Sequence, residues 1–150
     1  MAGPLYFEDL HVGLVLNSAT LEVTEAAIIA FAEAFDPQPF HTDPVAAKGS
    51  IFKGLAASGW HTAAMTMRLM AQGGVPLAGG IIGNGIDEFR WPRPTRPGDI
   101  LKVQSEVLEL RPSASRPSHG WVRMRNVTTN QLDQVVQTMI ASLTVPRRSS

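Results

Sequence analysis

The sequence predicts an α+β fold in which a curved antiparallel sheet wraps round a long buried helix. One observation is a series of four segments with strand character in the second half of the chain. Another is the segment from Ser58 to about Ala71, whose apolar residues lie on nearly all sides of a helix, as in a buried helix. A third is a pair of prolines that ends an earlier amphipathic helix.

The first elements are predicted to be a strand and a capped helix. Residues Leu14–Val23 have the composition of a strand, with leucines and a valine as its apolar members. Thr24 is a favourable N-cap, and Glu25 favours the first turn of a helix. The helix that follows has apolar residues at helical spacing, at Ile28, Phe31 and Phe35.

This helix runs into the segment Asp36–His41, which reads Asp-Pro-Gln-Pro-Phe-His. Its two prolines disfavour the α region at the residues before them, so we predict a helix end at about Asp36 and then a stiff, non-helical bend. Such a bend holds a carboxylate and an imidazole at a fixed distance and orientation, as proton transfer requires. The same residues are compatible with a simple turn, in which Thr42 or Asp43 caps a short helical turn at Pro44–Ala47.

The buried helix begins at Ser58 and Gly59, where backbone amides lack partners and the helix dipole is positive. Ser58 can cap one amide, and Gly59 lets a ligand approach its N–H closely, as in an oxyanion hole. Alternatively, Ser58 is an ordinary cap and Gly59 only permits tight packing. We expect His61, on the same helix, to be a core histidine with satisfied hydrogen bonds rather than a catalyst.

The second half of the chain is predicted to form the sheet. The last strand places alternate apolar residues on one face. Proline-rich residues 92–98 predict a corner, residues 111–118 a surface hairpin loop and residues 130–133 a tighter loop. The four predicted strands are Gly80–Trp91, Ile100–Leu110, Gly120–Thr129 and Gln134–Val145.

Composition restricts the class of protein. A chain of 150 residues with 44% hydrophobic and 17% charged residues predicts a single globular domain, residues 1–150, and the low charge favours a buried subunit interface. The chain has no cysteine and only four scattered histidines, so we expect no disulfide, thiolate chemistry or metal site. Zero net charge argues against nucleic-acid binding. No signal peptide or membrane span is expected, which favours a cytoplasmic protein.

Charge is nevertheless uneven, because acidic groups dominate residues 1–75 and basic groups dominate residues 76–150. The densest basic cluster is Arg90, Arg93 and Arg96, interleaved with prolines. Guanidinium forks match phosphate geometry, so this cluster is a candidate phosphate site. We favour Arg93 and Arg96, which lie beyond the end of the strand. The alternative is a group of solvated charges at a sheet corner.

The residues 36–43, Asp-Pro-Gln-Pro-Phe-His-Thr-Asp, followed by residues 52–59, Phe-Lys-Gly-Leu-Ala-Ala-Ser-Gly, resemble the MaoC-like dehydratases of the (R)-specific enoyl-CoA hydratase type. The later Phe-Arg-Trp-Pro of residues 89–92 and Pro-Gly-Asp of residues 97–99 are similar to a strand and corner of that family. The similarity covers roughly Tyr6 to Val145. It differs at Gln38, where the family has Asn, and at Ser58, where the family often has His.

The resemblance implies a hot-dog fold, at least a homodimer or higher homo-oligomer, and an enzyme of fatty acid metabolism. It implies reversible addition of water to a trans-2-enoyl-CoA, giving a (3R)-3-hydroxyacyl-CoA, with Asp36 and His41 as the acid/base pair. The Gly59 amide would polarise the thioester carbonyl, and Ser58 beside it is expected to belong to the same oxyanion and substrate-binding site. Coenzyme A enters only as part of the acyl-CoA substrate, so no separate cofactor is implied. Desolvation at a subunit interface is expected to raise the pKa of the carboxylate.

Two other functions are compatible with the same fold. Hot-dog thioesterases commonly carry a carboxylate on the central helix, whereas residues 60–71 contain no Asp or Glu, which disfavours acyl-CoA hydrolysis. A non-catalytic acyl-CoA binder or partner subunit is disfavoured by the presence of both Asp36 and His41.

Overall fold

The protein is described by a computed structural model over residues 3–148. The predicted domain, 1–150, therefore includes four terminal residues, 1, 2, 149 and 150, that lie outside the described range. Within residues 3–148 a 3-10 helical turn, Phe7–Asp9, precedes four α-helices, α1 (Glu25–Phe35), α2 (Pro39–Thr42), α3 (Pro44–Ala47) and α4 (Gly59–Leu69), and a π-helical turn, Met70–Gly74, continues α4. The six strands are β1 (Val15–Asn17), β2 (Leu21–Glu22), β3 (Ile82–Arg90), β4 (Ile100–Pro112), β5 (His119–Thr129) and β6 (Val135–Pro146).

The strands form one antiparallel sheet in the order β1-β4-β5-β6-β3, and β2 pairs separately with β4. The four long strands agree with the predicted ones to within two residues at each end. The single strand predicted at Leu14–Val23 is wrong, because this segment forms β1 and β2 with a break between them. At the break, the hydroxyl of Ser18 accepts the N–H of Val103 in place of a backbone carbonyl, which interrupts the ladder.

One side of α4 forms the centre of the core. Met65 and Leu69 are buried against Val103 of β4, Met124 of β5 and Leu143 of β6 in one hydrophobic cluster. This arrangement confirms the predicted α+β architecture of a sheet packed on a central helix. The two longest helices of the described chain, α1 and α4, have 11 residues each. Between residues 3 and 148 no helix has the length and hydropathy that a bilayer crossing demands.

The predicted burial of α4 is confirmed on the side that faces the sheet, whereas its other side is not covered by the sheet in the single chain. Trp60 is 60% exposed and Met67 is 43% exposed. Beside them lies β3, an edge strand in which every residue except Phe89 is exposed. The sheet therefore covers α4 on one side only, and the apolar residues on the other side of the helix face outward.

Candidate active site

Asp36 and His41 come together where α1 ends. Asp36 is the C-cap of α1, and Pro39 opens the helical turn α2 that carries His41. The predicted helix end at Asp36 is confirmed, but the prediction that His41 lies on a non-helical bend is wrong. The fixed φ of proline suits the first position of a helix, so Pro39 starts a turn instead of preventing one. The Nε2 atom of His41 lies 3.5 Å from Oδ2 of Asp36.

The tautomer of His41 follows from its second ring nitrogen. Nδ1 lies 2.6 Å from the carbonyl oxygen of Ala56, which can only accept a hydrogen bond. In the neutral imidazole the proton therefore resides on Nδ1, and the lone pair on Nε2 faces Asp36. Burial of the ring, edge-on against Phe40, restricts its rotation. Asp36 and His41 thus present two proton acceptors to the same small volume.

The carboxyl of Asp36 is held in its ionised form. Partial burial on its own acts to raise the pKa of Asp36, but hydrogen bonds from Ser58 and Gln38 and the nearby His41 together bring this pKa below its usual value. The amide of Gln38 donates to Oδ1 of Asp36 at 2.6 Å. In the single chain this pKa is therefore lowered, because the hydrogen bonds favour the charged form more than desolvation disfavours it, and the rise expected from burial at a subunit interface stays a prediction.

Ser58 connects the start of α4 to this carboxylate. It is fully buried, and its hydroxyl accepts the N–H of Trp60 at 3.2 Å as the N-cap of α4. The Ser58 side chain also acts to lower the pKa of Asp36. Sequence reasoning identified the cap but missed this second effect, since nothing in the local sequence relates Ser58 to the end of α1.

Gly59 is the first residue of α4 and lies on the wall of a cavity. A Cβ atom at this position would come within 2.6 Å of the Trp91 ring. The packing interpretation of Gly59 is therefore correct. Its location at the positive end of α4 beside the cavity also leaves it suited to stabilise a developing oxyanion.

The cavity has a volume of about 690 Å³, a size typical of small-molecule sites. His41 and Gly59 lie on its wall. The rest of the wall comes from α4, the loop before it and the corner after β3: Ile51, Phe52, Lys53, Ala57, Thr62, Trp91, Pro92, Arg93, Pro94, Thr95 and Arg96. No carboxylate is among these residues. In the described residues we also find no group of three or more His, Cys, Asp or Glu side chains placed to hold a metal ion.

The structure separates the three arginines of the basic cluster. Arg93 and Arg96 line the cavity, whereas Arg90 lies away from the cavity wall and pairs with Glu88 at 3.7 Å on the exposed surface. The guanidinium of Arg96 donates to the carbonyls of Phe52, Gly54 and Leu55. Lys53 also lines the cavity, and sequence reasoning missed it because a lone lysine in a glycine-containing loop has no distinguishing pattern. Of the three cationic side chains on the cavity wall, Arg96 therefore binds backbone carbonyls, whereas those of Arg93 and Lys53 make no such bonds among the described residues.

His61 is a core histidine, as predicted, but its hydrogen bonds are not satisfied. The ring stacks on Phe31 with centroids 4.7 Å apart, and Nδ1 is buried without a partner among the described residues. Burial lowers the pKa of His61. Because its folded-state pKa lies below the unfolded-state value of about 6.5, the unfolded chain binds the proton first as pH falls. The contribution of neutral His61 to stability is present above that pH and is lost as pH falls below it.

We therefore expect His61→Phe to make the protein less sensitive to acid. Phe keeps the stack on Phe31 and removes both the titrating group and the unpaired nitrogen, which should raise the free energy of unfolding at pH 5.5 by about 1 kcal/mol. Urea unfolding at pH 7.5 and 5.5 measures the effect. The control His11→Phe changes an exposed histidine, and an equal pH dependence in the His61 variant and the wild type would contradict the assignment.

Comparisons with known proteins place this site in context. Residues 11–131 match the family model for the MaoC-like domain.

A solved structure, the MaoC-like dehydratase from Rhodospirillum rubrum, is 54% identical with a TM-score of 0.94, covering 97% of this chain and 99% of that one. The R-hydratase PhaJ1 from Pseudomonas aeruginosa is 29% identical with a TM-score of 0.79, covering 97% and 88%. A 3-hydroxybutyryl-CoA dehydratase from Methylorubrum extorquens is 34% identical over 113 residues, which is 75% of this chain and 69% of that protein. The predicted hot-dog fold is confirmed.

Proposed function

This chain belongs to the MaoC-like domain family, and we propose that it reversibly adds water to a trans-2-enoyl-CoA, giving a (3R)-3-hydroxyacyl-CoA. The family and the similarity to the R-hydratase and to the 3-hydroxybutyryl-CoA dehydratase support a dehydratase. The observation that carries the proposal is the approach of His41 Nε2, on the cavity wall, to Asp36 Oδ2, which lies 3.5 Å away behind it. Neither a binder nor a structural subunit needs two proton acceptors at this distance.

In the proposed reaction, one water donates a hydrogen bond to Asp36 and another to His41, and only one of its two protons is transferred. One member of the pair removes a proton as the water oxygen bonds to C3 of the substrate, and the alkene π bond breaks. A proton then returns from the same pair to C2, on the same face of the former double bond. The N–H of Gly59 donates to the thioester oxygen while that oxygen carries enolate charge. The carbonyl of Ala56 stabilises the Nδ1–H of His41 in either protonation state.

The reaction is tested with the purified wild-type protein and a panel of trans-2-enoyl-CoAs. Loss of enoyl-thioester absorbance measures hydration, and chiral analysis of the product identifies the configuration at C3. Free coenzyme A, measured in the same samples with a thiol reagent, reports hydrolysis by a thioesterase. The proposal requires a (3R)-hydroxy product without coenzyme A release; release without hydration would establish the thioesterase alternative instead.

The phosphates of coenzyme A are proposed to bind beside Arg93 and Lys53, at the basic part of the cavity wall. We expect Arg93→Ala to raise KM for the CoA thioester about 10-fold at low salt and to leave kcat nearly unchanged, because nucleotide binding contributes equally to ground and transition states. The increase should shrink as salt rises. Steady-state kinetics at two ionic strengths, with Arg116→Ala in the β4–β5 loop as the charge-matched control, measure this. An unchanged KM at low salt would place the phosphates elsewhere.

A second copy of the chain is proposed to cover the exposed apolar side of α4 and β3. We call this surface the α4–β3 face, and its large exposed members are Trp60, Met67, Ile82, Ile86 and Trp91. An exposed edge strand next to an apolar helix face favours association with another sheet edge. Trp91 also lines the cavity, so covering this face would complete the cavity wall.

Ile86→Lys is therefore expected to shift the protein from dimer to monomer at micromolar concentration and to lower hydratase activity. Ile86 is 53% exposed in the single chain and would become buried in the dimer, where a lysine cannot be paired. Sedimentation velocity measures the mass. The control is Leu132→Lys, which changes an apolar residue of the β5–β6 loop that is 68% exposed. A fully active wild-type monomer would contradict the proposal.

A further inference from the structure

Arg96 is committed to one short loop before α4. Its Nη1 donates to the carbonyl of Gly54 at 2.9 Å and to that of Leu55 at 3.2 Å, and Nη2 donates to the carbonyl of Phe52. Only the planar fork of arginine can bind three carbonyls in a fixed geometry. Within this loop, Lys53 has a left-handed backbone with φ of 58°. Such a conformation costs a non-glycine residue about 1 kcal/mol and persists where its surroundings enforce it.

The next residue along this loop, Ala56, holds the His41 member of the proposed acid/base pair. The N–H of Ala56 donates to the carbonyl of Phe40 at 3.1 Å, and its own carbonyl accepts from Nδ1 of His41 at 2.6 Å. The ring of Phe52 packs against Phe40 and His41, with centroids 5.2 and 6.0 Å apart. We call residues 52–56 the clamp loop. The position of the clamp loop therefore determines where the Ala56 carbonyl oxygen, which accepts the Nδ1–H of His41, lies.

Arg96 is itself anchored on the opposite side. Its backbone N–H donates to Oδ2 of Asp99 at 2.8 Å, and Oδ1 of Asp99 accepts from Gln131 at 3.1 Å. The preceding residue, Thr95, accepts the N–H of Ala57 at 2.9 Å through its carbonyl. Asp99 and Thr95 are both buried. A continuous set of hydrogen bonds therefore runs from the sheet corner through Arg96 and the clamp loop to His41.

We propose that Arg96 is a positioning residue for His41 and not a ligand of the substrate phosphates. It touches none of the reacting atoms. It holds the clamp loop so that Ala56 fixes the tautomer and orientation of the imidazole, leaving Nε2 aimed at Asp36. This role rests on the proposed hydratase function, but the loop contacts themselves do not depend on any substrate.

Arg96→Lys separates the two roles, since lysine keeps the charge and loses the fork. We expect kcat for enoyl-CoA hydration to fall about 10- to 100-fold, as for a misplaced catalytic group, with KM within about twofold of wild type at every salt concentration. Arg116→Lys makes the same chemical change in an exposed loop and serves as the control. A phosphate role predicts the reverse, with kcat retained by the lysine and KM raised by Arg96→Ala at low salt only, and that result would overturn the proposal.

Hydrogen exchange tests the inference without any substrate. Amides of residues 50–58 should exchange at least about 10-fold faster in Arg96→Lys than in wild type, while those of β4 to β6 stay unchanged. Asp99→Asn weakens the hydrogen bond between the Arg96 backbone N–H and Asp99 but keeps the guanidinium. It should give the same exchange pattern with a smaller increase in rate. This variant provides the test if Arg96→Lys does not fold. Unchanged exchange over 50–58 in the folded variants would overturn the inference. An inactive wild type would refute the proposed function and leave this exchange result to decide the role of the clamp loop.

Discussion

Asp36→Asn and His41→Ala are each expected to lower kcat/KM for enoyl-CoA hydration by about 10²–10⁴-fold, the effect of removing a positioned acid or base. Asparagine keeps the size of Asp36 but cannot accept a proton, and alanine removes the Nε2 lone pair that faces the carboxylate. Because the two groups act on one water, the double variant should be no more impaired than the worse single variant. Rates near wild type in either single variant would exclude this pair as the catalytic machinery.

The control for these variants is Glu33→Gln, which neutralises an exposed carboxylate on the same helix. Circular dichroism and the unfolding midpoint establish that the fold persists in each protein. A moderate loss of stability is expected for Asp36→Asn, since the charged carboxylate accepts a hydrogen bond from Gln38 and its surroundings lower its pKa. If activity and stability fell in proportion in all variants, including Glu33→Gln, the loss would reflect unfolding and not chemistry.

Gly59→Ala is expected to cost about 1–3 kcal/mol of stability and to lower kcat/KM by about 100-fold. Its new Cβ would lie 2.6 Å from the Trp91 ring, and that ring is held by a hydrogen bond from its Nε1 to Gln137 at 2.9 Å. Either the indole or the first turn of α4 must move. Both form the cavity wall, and the cap residue of α4, Ser58, also acts to lower the pKa of Asp36.

A compensating change distinguishes packing from chemistry at this position. Trp91→Leu, combined with Gly59→Ala, removes the collision and should restore most of the stability lost in the single variant. Gly49→Ala is the matched control, because a Cβ there has no neighbour closer than the Ala46 carbonyl oxygen at 3.7 Å. Thermal unfolding and steady-state kinetics give the two readouts. If Gly59→Ala were as stable and active as Gly49→Ala, the Trp91 indole could move away from the new Cβ without measurable cost, and this prediction would be wrong.

The residues that sequence reasoning placed correctly are those whose neighbours along the chain determine them. Thr24 caps α1 through the amide of Ala27, and the four long strands follow from alternation and loop composition. The prediction was wrong at β1 and β2, because the interruption depends on a contact between Ser18 and Val103, far apart in sequence. Similarly, the apolar content of α4 indicates that it is covered, but not whether the sheet or another chain covers it.

The sequence by itself determined the order of elements, the helix end at Asp36 and the candidate pair Asp36 and His41, because prolines, caps and hydrophobic periodicity act over a few residues. Only the tertiary structure decided how that pair is held. The lowered pKa of Asp36 depends on Ser58, and the tautomer of His41 depends on Ala56. Arg96, one of three similar arginines in the sequence, differs from the others only through its contacts with the clamp loop. Hydrogen bonds and desolvation depend on distances in space, which local sequence patterns do not specify.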